Sequence, residues 1–200
     1  MKTNVGIYLY NQAEVLDFAG PFEVFSTASR VKLRIDRDSD APFSVFTIGE
    51  AGQNILAHGG LEVRPTYNFN NHPTINLLII PGGVVNDEIE KETVIQWIIN
   101  ISSNSEITAS VCTGAFLLAK AGLLSGKSAT THWEDVPDFR SMFPDVRVIK
   151  NKRWIDEGKI VTSAGISAGI DMSLHLVSRF EGDDLAVKTA KQMEFDWTNI

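Results

Sequence analysis

The sequence predicts an α/β fold, a doubly wound and mostly parallel sheet with helices on both faces. Two observations carry this. Leu77-Leu78-Ile79-Ile80 is a continuous apolar run of the kind a strand shows when both of its faces are covered, and Ile107-Thr108-Ala109-Ser110-Val111 is an apolar run that also reads as a strand. Strand-like runs also alternate with segments of helical apolar spacing across short connections, and parallel neighbours need such crossovers. The 200 residues, 44% hydrophobic and 22% charged, suffice for one domain over 1–200 with a full sheet and its covering helices.

Taken in order, Val5–Tyr10 reads as a first strand, and Asn11–Glu14 as a polar loop. Pro21 suits the first position of a helix, and Phe22, Val24, Phe25 and Ala28 give that helix an apolar face. Asp17 then stands just before the helix, either capping its free N–H groups or serving as a desolvated proton carrier. Arg30 to Asp40 is a mixed-charge run with no chemistry assigned to it. Phe43–Ile48 is a second strand, and Asn54–Val63 a small hairpin around His58-Gly59-Gly60. His58 reads as a loop residue rather than a base, and nothing stands at metal-ligand spacing from it.

Leu77–Ile80 ends in Pro81-Gly82-Gly83, where backbone N–H groups could meet an anion or where the glycines simply make a turn. A helix over Asp87–Ser103 follows, with Val94, Trp97, Ile98 and Ile101 as its buried stripe. Ser128–Thr131 is a short strand ending at His132-Trp133, and Glu134–Phe143 is helical. His132 there either polarises a substrate or is packed and bonded for structure. Val146–Ile149 and Arg153–Thr162 read as strands, Ile170–Phe180 and Asp184–Met193 as helices, and Glu194–Ile200 as a tail.

A formal net charge of −7, with no Lys/Arg cluster, argues against nucleic acid or an anionic membrane as partner and leaves a small molecule. The single cysteine excludes an intrachain disulfide. No signal-peptide core or membrane-length apolar run is present, so a cytoplasmic protein is expected. The sequon Asn100-Ile101-Ser102 then has no consequence.

That cysteine, Cys112, stands between the Ile107–Val111 strand and a helix opening at Gly114. A side chain at such a corner stands clear of both elements, as in a nucleophile elbow, and a helix N-terminus favours its thiolate. Gly114 permits the sharp turn or a close approach. The alternative is a cysteine that fills core. Cys112, Gly82-Gly83 and His132 all follow strands at one edge of the sheet, and Asp17 follows the first strand, so it can join them.

The motifs Leu16-Asp17-Phe18-Ala19-Gly20-Pro21, Ile80-Pro81-Gly82-Gly83, Val111-Cys112-Thr113-Gly114, Thr130-Thr131-His132-Trp133 and Ala164-Gly165-Ile166-Ser167-Ala168-Gly169 resemble the ThiJ/PfpI superfamily. The match runs from Val5 to Met193 and implies a flavodoxin-like, class I glutamine amidotransferase-like sheet. Within it, Asp17 with Cys112-Thr113 is similar to the isocyanide hydratases. PfpI-type peptidases and amidotransferases carry a histidine after the nucleophile or a Cys-His-Glu triad, whereas Thr113 follows the cysteine here. Thr162-Ser163-Ala164-Gly165 looks at least as much like the amidase-like domain of AraC-type regulators. Those proteins continue into a helix-turn-helix domain, so direct DNA binding is not expected of a chain ending at Ile200.

The resemblance implies hydration of an isocyanide to a formamide, with Cys112 as nucleophile, Asp17 moving protons and Thr113 bonding Asp17 or the intermediate. Gly82, Gly83, Gly114 and His132 would bind substrate or its developing charge. It implies a homodimer and no metal or organic cofactor. Two alternatives stay open: another cysteine hydrolase of the superfamily (amidase, peptidase or deglycase-like), and a non-catalytic ligand or redox sensor.

Overall fold

The computed structural model describes residues 2–197. Seven strands form the main sheet: β1 (Thr3–Tyr8), β2 (Phe43–Gly49), β5 (Tyr67–Asn68), β6 (Leu77–Ile80), β7 (Ile107–Val111), β10 (Trp154–Asp156) and β11 (Ile160–Ser163). Their spatial order is β10-β11-β7-β6-β1-β2-β5, with every neighbour parallel except the β10–β11 hairpin. The remaining strands form two small pairs, β3 (Ile55–Leu56) with β4 (Glu62–Val63) and β8 (Ser128–Ala129) with β9 (Arg147–Val148).

The helices are α1 (Val15–Ile35), α2 (Glu92–Asn104), α3 (Gly114–Lys120), α4 (Val136–Met142), α5 (Ala168–Glu181) and α6 (Asp183–Gln192). The helices α1, α5 and α6 pack together, as do α2 and α3. The predicted doubly wound architecture is therefore the observed one. Both central strands are covered on each face, since every residue of β6 and β7 is buried. That is why β6 is a continuous apolar run; β7 alternates Ile107, Ala109 and Val111 with the buried hydroxyls of Thr108 and Ser110, and Thr108 donates to the Ser102 hydroxyl at 3.0 Å.

Sequence expectation and structure part at three places. The first helix begins at Val15, not Pro21, so Asp17 lies in its first turn and Pro21 inside it. An interior proline costs a helix about 3 kcal/mol. Burial of Phe18, Val24, Phe25 and Ala28 against the sheet and against α5 and α6 outweighs that cost. The strand leading to His132 is not in the main sheet: β8 pairs with β9, and this pair is tied on where Thr130 N–H donates to Thr162 Oγ1 at 2.9 Å. The expected 87–103 helix is preceded by a separate 3-10 turn over Glu88–Glu90. Met1 and the last three residues of the expected tail lie outside the described residues.

The strand order reverses direction between β1 and β6, the place where open α/β sheets offer a crevice at their carboxyl ends. Two loops are zipped together across it. Ala13 bridges Gly83, Glu14 N–H donates to the Gly82 carbonyl at 2.8 Å, and Val84 N–H donates to Gln12 at 3.1 Å. The first turn of α1 is thereby laid against the end of β6. Among the described residues, no helix is long and apolar enough to cross a membrane.

Leu78 is fully buried in β6, between β1 and β7. Leu78→Ala should lower unfolding free energy by about 2–5 kcal/mol in denaturant titrations, the usual cost of a core cavity at a rigid site.

Candidate active site

Cys112 follows the last residue of β7 and has a φ of 54°, a left-handed conformation that a side chain with a Cβ adopts only when its surroundings hold it there. Its N–H donates to the Ser163 carbonyl at 3.0 Å, and its own carbonyl accepts the Thr131 hydroxyl at 2.9 Å. Gly165, at φ 84°, packs against it so closely that a Cβ there would stand 2.9 Å from the Cys112 Cα. Only glycine meets both conditions.

Asp17 is fully buried. Its Oδ2 accepts the Gly82 N–H at 3.0 Å, and Oδ1 has no hydrogen-bond partner. The carboxyl also lies within reach of the Cys112 thiol. Burial, pulled back by the Gly82 N–H, aided by the Glu14 carboxylate and opposed by the Cys112 thiol, leaves Asp17 raised to about 7. Burial and then the Asp17 charge push the Cys112 thiol up to about 12, opposed by the Thr113 N–H directed at the sulfur. The expected thiolate at a helix N-terminus is therefore corrected: burial and the Asp17 charge hold the proton on the sulfur near neutral pH. Tyr10 closes the interior side of the pair, its hydroxyl donating to the Pro81 carbonyl at 3.1 Å.

Cys112 opens onto a cleft of about 230 Å³ whose wall includes Gly83, Thr113, His132, Glu14, Asp135 and His58. Cys112, Asp17, Thr113, Gly83 and His132 are thus brought together, although by different means than the sequence implied. The Thr113 hydroxyl does not bond Asp17; it accepts the Gly83 N–H and donates to the Gly83 carbonyl, both at 2.8 Å. The N–H groups of Gly82 and Gly83 are thereby committed to Asp17 and Thr113, and form no vacant anion cradle. Gly114 faces away from the cleft, and a Cβ on it would stand 2.9 Å from the Pro81 carbonyl oxygen. It lets α3 approach the end of β6.

A model of the DJ-1/PfpI family matches residues 3–179. The chain belongs to this family. It is 31% identical over 197 residues to the isonitrile hydratase of Pseudomonas putida, covering 98% of this chain and 79% of that protein. Over 141 residues it is 32% identical to the HTH-type transcriptional regulator CdhR of Pseudomonas aeruginosa, covering 70% of this chain but 42% of that one. Its fold matches a ThiJ/PfpI family protein from Pseudomonas syringae with a TM-score of 0.85 at 22% identity, over 99% of this chain and 77% of that one.

Four members of this DJ-1/PfpI site escaped the sequence reading. Glu14 and Asp135 border the cleft in segments taken for loop and helix, and His58, read as a plain loop residue, is carried to the cleft by the β3–β4 hairpin. Its N–H donates to the Ala13 carbonyl at 2.9 Å. Gly165 lay inside a recognised motif, but only the structure shows what presses on it. His132 faces Asp135 at 3.3 Å rather than the thiol. Among the described residues, no group of three His, Cys, Asp or Glu side chains could hold a metal ion.

Because its folded pKa lies above the ordinary carboxylate value, Asp17 favours the folded state fully below about pH 4, and that contribution is lost as pH rises through about 7. Asp17→Asn removes the dependence. Thermal melts from about pH 5 to about pH 8 should show the variant gaining stability relative to wild type. A gap that does not change with pH would mean that the carboxyl is not held proton-rich.

Proposed function

We propose that this protein is a cofactor-independent hydratase that adds water to an organic isocyanide, R–N≡C, to give the formamide R–NH–CHO. The observation that carries this reading is the buried Asp17 carboxyl beside the Cys112 thiol, with a free Oδ1 and a pKa pushed up to about 7. The isonitrile hydratase relative supports it. Hydrolytic triads use a histidine hydrogen-bonded to the nucleophile as base; His58 bonds Gln12 at 3.3 Å and His132 pairs with Asp135, but among the described residues neither hydrogen-bonds the Cys112 sulfur, where Asp17 stands instead.

In this reading the ionised Asp17 takes the Cys112 proton as sulfur attacks the terminal isocyanide carbon, then delivers it to that carbon. The product is a thioimidate, Cys112–S–CH=N–R. The same carboxylate next takes a proton from a water that adds to the carbon and passes it to the nitrogen, giving Cys112–S–CH(OH)–NH–R. Collapse of the tetrahedral adduct expels the sulfur, which regains a proton as the formamide leaves. The Thr113 N–H stabilises charge on sulfur during both transfers. The Thr113 hydroxyl acts by holding the Gly83 loop. The reading includes a single catalytic domain, a cytoplasmic setting and a homodimer; light scattering tests the last.

Ligand sensing is the second reading, favoured by the likeness to a transcriptional regulator. Turnover separates the two. Infrared loss of the isocyanide band and NMR growth of the formyl proton should both follow addition of purified protein to a simple alkyl isocyanide. Cys112→Ala should reduce the rate to background, and Asp17→Asn should reduce it by about 10²–10⁴-fold, the usual yield of general acid–base catalysis. Thr113→Val should cost less than either, because it loosens a loop rather than removing a reacting group. Wild-type turnover in the cysteine variant, or none in the wild type, would remove the hydratase reading.

A further inference from the structure

A second cleft, of about 290 Å³, adjoins the first and shares Gly83, Thr113 and Asp135 with it. Val85, Ile89 and Phe116 give it apolar walls, and Asp138 and Glu90 join Asp135 as its acidic members. The first cleft adds Glu14. No lysine or arginine lines either space.

The acids are not equivalent. Glu90 faces Lys120 at 3.6 Å, and Asp135 faces His132 at 3.3 Å. Asp138 has the opposite effect: its charge, with that of Glu134, adds to the burial that pushes Asp135 up. The carboxylates of Glu14, Asp135, Glu90 and Asp138 are thus the formal charges that line the path from Cys112 into the second cleft. A carboxylate entering it would lose water without gaining a cation, whereas an ammonium at the end of an aliphatic chain would gain carboxylates while its methylenes cover Val85, Ile89 and Phe116.

We propose that the second cleft receives the R group of the substrate, and that the acidic pair Asp135 and Asp138 selects aliphatic R groups that are neutral or end in a cation while excluding those that end in a carboxylate. This rests on the reading of Cys112 as the nucleophile and specifies the substrate class for that site. Gly83 and Thr113 line both clefts, so the R group of a thioimidate on Cys112 enters the second cleft past these two residues. Asp138 acts through charge alone and is a specificity residue, not a catalytic one.

The test uses the whole protein and two matched probe series, each with a methyl, ammonium or carboxylate end on the same aliphatic chain. One series is of isocyanides, read by turnover; the other is of N-alkyl bromoacetamides, read by mass spectrometry as the rate of Cys112 alkylation. In both, the ammonium probe should react at least about tenfold faster than the carboxylate probe, with the difference shrinking as salt is added. Asp138→Lys should cut that ratio at least about fivefold. Asp184→Lys, which makes the same change in net charge on the distant α6, should leave it unaltered. Equal reaction of both charged probes, or equal effects of the two lysine variants, would overturn the proposal. Bromoacetamide discrimination without isocyanide turnover would leave the proposal standing and remove the hydratase reading. Isocyanide turnover without discrimination would do the reverse. Failure of every probe to react would overturn both, since each requires an accessible Cys112.

Discussion

The site depends on one constraint, a cysteine held at φ 54° at the carboxyl end of a central buried strand. A left-handed residue bearing a Cβ costs on the order of 1–2 kcal/mol and persists only when its neighbours over-determine it. Here the determinants come from separate parts of the chain: Ser163 at the end of β11, Thr131 after β8, and the bare backbone of Gly165. The fold thus converges on Cys112 before any chemistry is considered. The small β8–β9 pair, marginal as a sheet, gains a purpose from this: it delivers the Thr131 hydroxyl to the Cys112 carbonyl.

Once the backbone is fixed, burial decides the state of the sulfur. A helix N-terminus supplies about 0.3–1 kcal/mol toward a thiolate. A rise of the thiol to about 12 exceeds that several-fold, at about 1.4 kcal/mol per tenfold change in proton affinity. In the proposed reaction the sulfur therefore attacks as its proton passes to Asp17 rather than as a standing thiolate, and Asp17, raised to about 7, is available as an acceptor near neutral pH. The Gly82 N–H sets the balance. Without it, the buried carboxyl would rise further and be protonated too firmly to act as a base.

Much of this was legible in the residues. A continuous apolar run gave β6, the glycine pair marked its end, and the cysteine marked the corner after β7. What escaped is instructive. Pro21 is a strong local signal for a helix start, yet packing of Phe18 and the residues around it carries the helix through it, so Asp17 took a different place than expected. The partners of Gly82 and Gly83 could not be read from sequence, because committing an N–H group is a three-dimensional event. Local sequence describes the Cys112 corner, but the residues that hold and surround it, Thr131, Ser163, Gly165 and Asp17, come from distant parts of the chain.

The charges that line the cleft also reach the reacting pair. Glu14 pushes Asp17 up, and Asp135 adds to what pushes Cys112 up. Both line the cleft, so substrate charge and proton affinity are coupled. A cation seated near these carboxylates would offset their field and lower the proton affinity of both Asp17 and Cys112, drawing the pair toward the ionised states that attack and proton transfer require. A carboxylate in the same place would strengthen the field and hold both protons in place. On the proposed reading the acidic lining acts twice, once on what enters and once on whether the pair can react with it, and both effects favour the same class of molecule.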